Sequence, residues 1–321
     1  MAQILVIGKV TYHFDFSISS EFSILCNKDN KNPTTVGTDV KRTFGGMGAN
    51  VAYGLAILGS HPIIVSQVGP DFDWIFRPHL EKTGIDVRVF THPEKETACY
   101  YRIKDEQDKI LIVDQENSYR FFAERNLAEQ LESSEFQTLD TIFVGTGKVE
   151  ADIKFISKVQ EQANRVPVVY SPDLNMNELV KWRLSQILDK ITVLVCTEKE
   201  LEIIEERMKQ TSNEILANSR RLIYIVSMVE RSKIVIHSKE FKMKVSKGPA
   251  EEVLAEEFWW DAFRAGLVYG ISLKKPIDEA AKIGSALASY AVETRENQQY
   301  SPSLEQVTLR AFEVKITQKS E

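Results

Sequence analysis

The feature that most constrains this chain is a regular alternation in its second half. Short apolar runs at 141–144, 167–170, 192–195 and 222–226 predict strands. Between them, residues 153–163, 177–187 and 199–209 carry apolar side chains at helical spacing. A strand that is apolar at consecutive positions is buried on both faces. Parallel neighbours need a crossover of a dozen or more residues, and a helix supplies it. Strand, helix, strand, repeated in this way, predicts a mostly parallel sheet with helices on both faces, a three-layer α/β/α sandwich.

The first half continues the pattern and interrupts it twice. Residues 4–7 form an apolar run closing on Gly8, and 62–68 is a second such run. Helices are predicted over 49–58, ended by Gly59, and over 71–82. In contrast, Phe14, Phe16 and Ile18 alternate with polar residues ahead of a polar stretch at 27–37. Residues 97–103 and 109–113 flank a polar tip at 104–108, a hairpin signal. Two strand-rich pieces, about 11–43 and 95–116, inserted into one α/β body predict a small discontinuous sheet standing over it as a lid. Strands at 233–237 and 241–245 look antiparallel, and helices at 261–272, 277–292 and 304–312 follow. The expected organisation is one α/β domain over 1–314 and a frayed polar tail at 315–321.

Charge and composition exclude some functions. A net charge of −6 and a pI near 5.6 argue against nucleic acid and an anionic membrane surface as partners. Small anions stay open, because backbone amides build such sites locally. No apolar run approaches the ~20 residues of a membrane helix. Cys26, Cys99 and Cys196 form no CxxC, and three reduced, buried thiols are expected. With no basic n-region ahead of a long apolar run at the start, the expected location is cytoplasmic. The histidines His61, His79, His92 and His237 show no ligand spacing, and no protein-bound metal centre is expected.

The glycine-rich segment Phe44-Gly45-Gly46-Met47-Gly48-Ala49-Asn50 opens a helix. Glycines allow close backbone approach, and a helix N-terminus can offer amides to an oxygen-rich ligand. By itself this is also a simple turn before a helix. The longer string GGMGANVAYGLAILG resembles the N-terminal signature of the ribokinase-like (PfkB) family of sugar and nucleoside kinases. Asp261-Ala262-Phe263-Arg264-Ala265-Gly266 is similar to its C-terminal signature, and Thr197-Glu198-Lys199-Glu200 stands where that family has Asn-x-x-Glu. The likeness runs from Gly8 to about Tyr300, and the opening Gly8 to Tyr12 and the ALASYAVE helix look closest to the nucleoside (adenosine) kinase branch.

The resemblance implies transfer of the ATP γ-phosphoryl group to a hydroxyl of a nucleoside or sugar, with ATP and Mg2+ as cofactors and Asp261 as the base. It assigns acceptor binding to His13, Asp15, Gly45, Gly46 and Asn50. Nucleotide and phosphate binding would fall to Thr197, Glu200, Ser227, Val229, Phe258, Trp259, Trp260 and Asn297. Lid sheets of this kind pair into dimers by family analogy, so a homodimer through the lid is expected.

Several of these positions depart from the family pattern. The Gly-Ala-Gly ahead of the aspartate is Phe258-Trp259-Trp260, bulky side chains where phosphate needs bare amides. The acceptor aspartate aligns with His13, and Asp15, two residues on, shares its strand face. Ala255 stands where an aspartate supports a monovalent cation, Thr197 replaces an asparagine, and Val229 replaces a glycine of the turn at 227–232. The Gly-Thr-Gln near the adenine end reads Glu296-Asn297-Gln298. Losing oxyanion-type donors costs roughly 3 kcal/mol of barrier each. The favoured expectation is a catalytically impaired relative, a pseudokinase with a ligand-sensing or protein-interaction role. The alternative is an active kinase using Asp261.

Overall fold

The fold is described from a computed structural model over residues 2–25, 34–172, 178–229 and 233–319. Its backbone is a sheet of ten strands among the described residues. At the centre lies β1 (Gln3–Gly8), flanked by β4 (His61–Val68) and β8 (Thr141–Gly145). Beyond β4 is β5 (Asp86–Thr91). Beyond β8 come β9 (Val168–Tyr170), β10 (Val193–Thr197) and β11 (Tyr224–Val229). All of these pair in parallel. The far edge is antiparallel: β12 (Lys233–His237), β13 (Lys242–Ser246) and β14 (Ile316–Lys319).

The strict two-residue period of β1 shows why helices cover both faces. Ile4 and Val6 enter one core; Leu5 and Ile7 enter the other, and all four are fully buried. On the first face lie α2 (Met47–Ile57), α3 (Phe72–Lys82), α9 (Trp259–Ser272), α10 (Ile277–Val292) and α11 (Leu304–Glu313). The second face is covered by α5 (Val149–Gln162), α6 (Lys181–Leu188), α7 (Glu198–Met208) and α8 (Ser212–Asn218), with a 3-10 turn at Asn117–Glu124. Two one-turn helices, α1 (Phe22–Leu25) and α4 (Ser133–Phe136), complete the set.

The second sheet has four strands, in the order β3 (Gly37–Gly45), β2 (Thr11–Ile18), β6 (Ala98–Lys104) and β7 (Ile110–Gln115). Two antiparallel hairpins, β2/β3 and β6/β7, are joined by a parallel β2/β6 pair, so the lid is built from two separated stretches. Its tip is closed by Asp105, whose carboxylate accepts the amides of Gln107 (2.9 Å) and Lys109 (2.8 Å).

One sequence expectation is corrected, one is sharpened and one strand is added. The tail is not frayed over its described part, because residues 316–319 extend the large sheet along β13. Within the strand-rich piece expected at about 11–43, residues 37–45 form β3, with the neighbouring β2 supplying the ladder partners. Residues 86–91 form the edge strand β5, whose polar positions face solvent. The expectations for Cys26, most of 27–37, the start of the helix at 177 and the turn at 230–232 lie outside the described residues. Cys99 and Cys196 are free and buried. Among the described residues no helix is long and apolar enough to cross a membrane.

Candidate active site

The C-terminal ends of β1, β9 and β10, the start of α9 and the inner face of the lid enclose a cleft. Open α/β sheets bind ligands at this end of their strands. The cleft holds two adjoining cavities of about 590 and 400 Å³. His13, Asn50, Tyr100, Glu257 and Asp261 line both. Asp15, Phe258 and Asn297 line only the larger, while Gly46, Thr197, Glu200 and Trp260 line only the smaller. Gly45, Ser227, Val229 and Trp259 line neither of these two.

Asp261 sits in the first turn of α9, where a carboxylate is favoured by the helix dipole. Both of its oxygens are engaged. Oδ1 accepts from Arg264 Nη1 at 2.8 Å, one turn on, and Oδ2 accepts from Asn50 Nδ2 at 2.8 Å. Arg264 is buried, 6% exposed, and its Nε donates to Ser171 Oγ at 2.9 Å. A buried guanidinium without a counterion is costly, so Asp261 also has a structural duty.

The glycine-rich segment is shaped by two close approaches. Gly46, the N-cap of α2, has φ +90, and a Cβ there would stand 2.5 Å from the Lys9 carbonyl oxygen. A Cβ on Gly45 would stand 2.2 Å from His13 Nε2. The first amides of α2 are not turned to the cleft: Gly48 N (3.0 Å) and Ala49 N (3.3 Å) both donate to the Lys9 carbonyl. What the segment contributes to the cleft is Gly46, Met47 and Asn50 on its wall and a seat for the His13 ring.

The turn before Asp261 is not an open loop. Glu256–Phe258 form a 3-10 turn that runs directly into α9, with Phe258 at φ −77, ψ −11. Its three aromatics diverge. Trp259, 3% exposed, enters the core and stacks on Phe263 (4.9 Å, 10°), with Lys247 Nζ 5.1 Å from its ring centroid. Its indole N–H finds no acceptor among the described residues. Phe258 and Trp260 are half-buried and turn to the two cavities instead. Trp259 thus packs in the core, while Phe258 and Trp260 border the cleft. An indole of that size is better accommodated against Phe263 than in a polar cavity.

The remaining nucleotide positions are engaged locally. Thr197 is the N-cap of α7: its Oγ1 accepts the Glu200 amide (3.2 Å), and its own amide donates to Glu200 Oε2 (2.7 Å). This capping box satisfies two helix-terminal donors reciprocally. Ser227 Oγ is buried and donates to the Val235 carbonyl at 3.4 Å.

On the lid, the His13 ring lies 4.9 Å from that of Tyr100. Desolvation pushes its pKa down to about 4, against the pull of Asp261, so the ring is neutral at neutral pH. Burial raises the Asp15 carboxyl, partly offset by Arg102 3.9 Å away. Three ion pairs tie lid to body: Lys9 to Asp114 (2.5 Å), Arg102 to Glu257 (3.2 Å) and Lys41 to Glu296. Sequence patterns do not single out Lys9, Tyr100, Arg102 or Asp114, because the contacts are long-range. Arg264 was findable as the i+3 partner of an acid on a helix, and the Thr197 cap from its T-x-x-E spacing.

This architecture recurs in known proteins. The pfkB family carbohydrate kinase pattern matches residues 1–304. The chain is 24% identical over 276 residues to a nucleoside kinase of Methanocaldococcus jannaschii, covering 84% of this chain and 86% of that one. The crystal structure of Methanocaldococcus jannaschii nucleoside kinase superposes with a TM-score of 0.85 at 19% identity, over 98% and 99% of the two chains. An Arabidopsis thaliana ribokinase complexed with ribose and ATP gives 0.82 at 17% identity, over 97% and 99%. A Burkholderia thailandensis nucleoside kinase in complex with inosine gives 0.78 at 18% identity, over 97% of each. With the two-sheet fold, the cleft at the strand ends and a family match across nearly the whole chain, this protein belongs to the pfkB family of carbohydrate kinases.

Proposed function

We propose that the cleft binds a nucleoside or a sugar and that phosphoryl transfer from ATP is impaired, so that the protein serves as a ligand sensor or interaction subunit in the cytoplasm. The observation that carries this reading is the turn at 256–260. Phosphoryl transfer is mainly positioning and electrostatics, and it needs amides that an oxyanion can reach. Here the approach to the first turn of α9 is flanked by Phe258 and Trp260, and Trp259 anchors the turn in the core.

The residues at the nucleotide positions do not fit ATP and Mg2+ well. Glu200 is engaged in the α7 cap, and the Ser227 hydroxyl is buried against Val235. No step through the nucleotide is derived for this chain. The acceptor side offers more: neutral His13, Asp15, Asn50 and Asp261 supply donors and acceptors for sugar hydroxyls. Ile110, Ile112 and Phe258 give an apolar wall for a base. The outer face of the lid carries Phe14 stacked on Tyr101 (5.3 Å, 18°), with Leu111 and Val113 about half exposed, and this face supports a homodimer through the lid. Free buried thiols suit a reducing compartment.

The retained Asp261 favours a second reading, an active kinase. It borders both cavities at the first turn of α9. Calorimetry with a nucleoside and sugar panel, followed by incubation with labelled ATP, separates the two. Binding of an acceptor without its phosphorylation is the expected result. Turnover that disappears in Asp261→Asn overturns the proposal and establishes the kinase.

A further inference from the structure

The two oxygens of Asp261 are held from opposite sides, and the Asn50 side is part of a longer chain. Asn50 Oδ1 accepts from Gln298 Nε2 at 2.8 Å, and Gln298 Oε1 lies 2.9 Å from His79 Nε2. The four residues come from α9, α2, the segment after α10, and α3. The directions of the donors follow from chemistry alone. Paired with Arg264, Asp261 is a carboxylate and can only accept, so Asn50 must present its NH2. The Asn50 carbonyl then faces Gln298, which must present its own NH2. The Gln298 carbonyl in turn faces His79, whose Nε2 must carry a proton. Every donor in the chain points toward Asp261.

Two further observations show that this chain is built into the fold. His79 is clamped between rings, 4.2 Å from Phe44 at 16° and 5.9 Å from Tyr53 at 8°. Gln298 is 3% exposed and sits at φ +58, a conformation that side chains other than glycine rarely adopt. Strain of this kind persists where the surroundings over-determine a residue. The two hydrogen bonds of its side chain are such a constraint. Burial also lowers the pKa of the His79 ring, which keeps it neutral, with a single N–H to place.

We propose that His79 and Gln298 are positioning residues that orient the Asn50 amide, and through it Asp261, in the cleft. The inference rests on that cleft being the ligand site. It concerns the setting of the carboxylate, not whether phosphate is transferred.

The test is the side-chain amide of Asn50 in the 15N-labelled full chain. Its protons are expected to exchange slowly in the wild type and at least tenfold faster in Gln298→Glu. That isosteric change puts a carboxylate at both ends of Asn50, so no orientation of one amide satisfies both. His79→Leu is expected to have the same effect, while His79→Gln, which keeps an N–H donor, retains slow exchange. A merely structural His79 would not make that distinction. Unchanged Asn50 exchange in both Gln298→Glu and His79→Leu overturns the proposal. Affinity for any nucleoside or sugar that the wild type binds should fall about tenfold in the same two variants and recover in His79→Gln. A wild type that binds none overturns the ligand reading of the cleft, and the amide exchange still decides the positioning chain.

Discussion

The two sides of the cleft are maintained by different means. On the proposed acceptor side, the polar groups are side chains held by side chains: Asp261 by Asn50 and Arg264, and His13 by its seat on Gly45 and its neighbour Tyr100. On the other side, an anion held at a helix start depends on bare backbone amides. Here that backbone carries Phe258, Trp259 and Trp260, and the amides at the start of α2 are already bonded to the Lys9 carbonyl. A side-chain network tolerates replacement of a member only by a group that keeps the same donors and acceptors. A backbone cradle does not tolerate added bulk, because the side chain occupies the volume that the anion needs. The contrast explains how one side can keep its polar order while the other becomes part of the core.

The sharpest way to break this contrast is to act on Trp259. If it is a core residue, Trp259→Ala should lower unfolding stability by about 3–5 kcal/mol. Trp260→Ala, at the cavity wall, should cost about 1 kcal/mol. Urea unfolding of the two variants measures both, and equal losses would show that the aromatic turn acts as one unit. On the acceptor side, Asp261→Asn leaves Arg264 buried without its counterion. A loss of about 3 kcal/mol is expected, and Arg264→Met in the same background should restore part of it.

Much of this contrast was legible in the sequence, for reasons that particular residues make clear. Parallel strands buried on both faces write themselves as continuous apolar runs, so β1, β8 and β10 could be read directly. The lid hairpins were legible from their alternation and polar tip. In contrast, β3 is mostly polar over 37–43, with Val40 as the exception, and it is held by the ladder that β2 offers. The positions of Asp261, Asn50 and the aromatic turn came from motif likeness. The bonds from Gln298 to Asn50 and to His79 did not, because no local pattern encodes a bond between residues 248 or 219 positions apart. The divergence of Trp259 from Phe258 and Trp260 follows from helix phase, because α9 starts at Trp259, two residues before the 261 that the pattern predicts.

His13 sharpens the acceptor side through pH. Its folded pKa is about 4, below the ordinary 6.5, because burial disfavours the charged ring. The unfolded chain therefore binds more protons between those values, and stability rises with pH across that window. The contribution is fully present above about pH 6.5 and is lost as pH falls toward 4, with an upper bound of about 3 kcal/mol. Denaturant midpoints measured from pH 4 to 7 should show that slope, and His13→Gln should flatten it. An unchanged slope in the variant would mean that the ring is hydrated and is not part of the packed wall.

The smallest expected effect concerns the seam between lid and body. Arg102 to Glu257 and Lys41 to Glu296 are partly exposed pairs, each contributing on the order of 0.5 kcal/mol and screened by salt. Lys9 to Asp114 is more sheltered, with the lysine side chain 11% exposed, and is screened less. Raising the salt to about 1 M should therefore speed hydrogen exchange in β6 and β7 modestly while leaving β1 and β8 unchanged. The double variant Glu257→Gln, Glu296→Gln should exchange at the high-salt rate already at low salt. Asp114→Asn should add a further increase that salt does not reproduce. If all three pairs respond to salt alike, the lid is held by charge alone; if only the exposed two do, the Lys9 contact is the fixed hinge about which the lid moves.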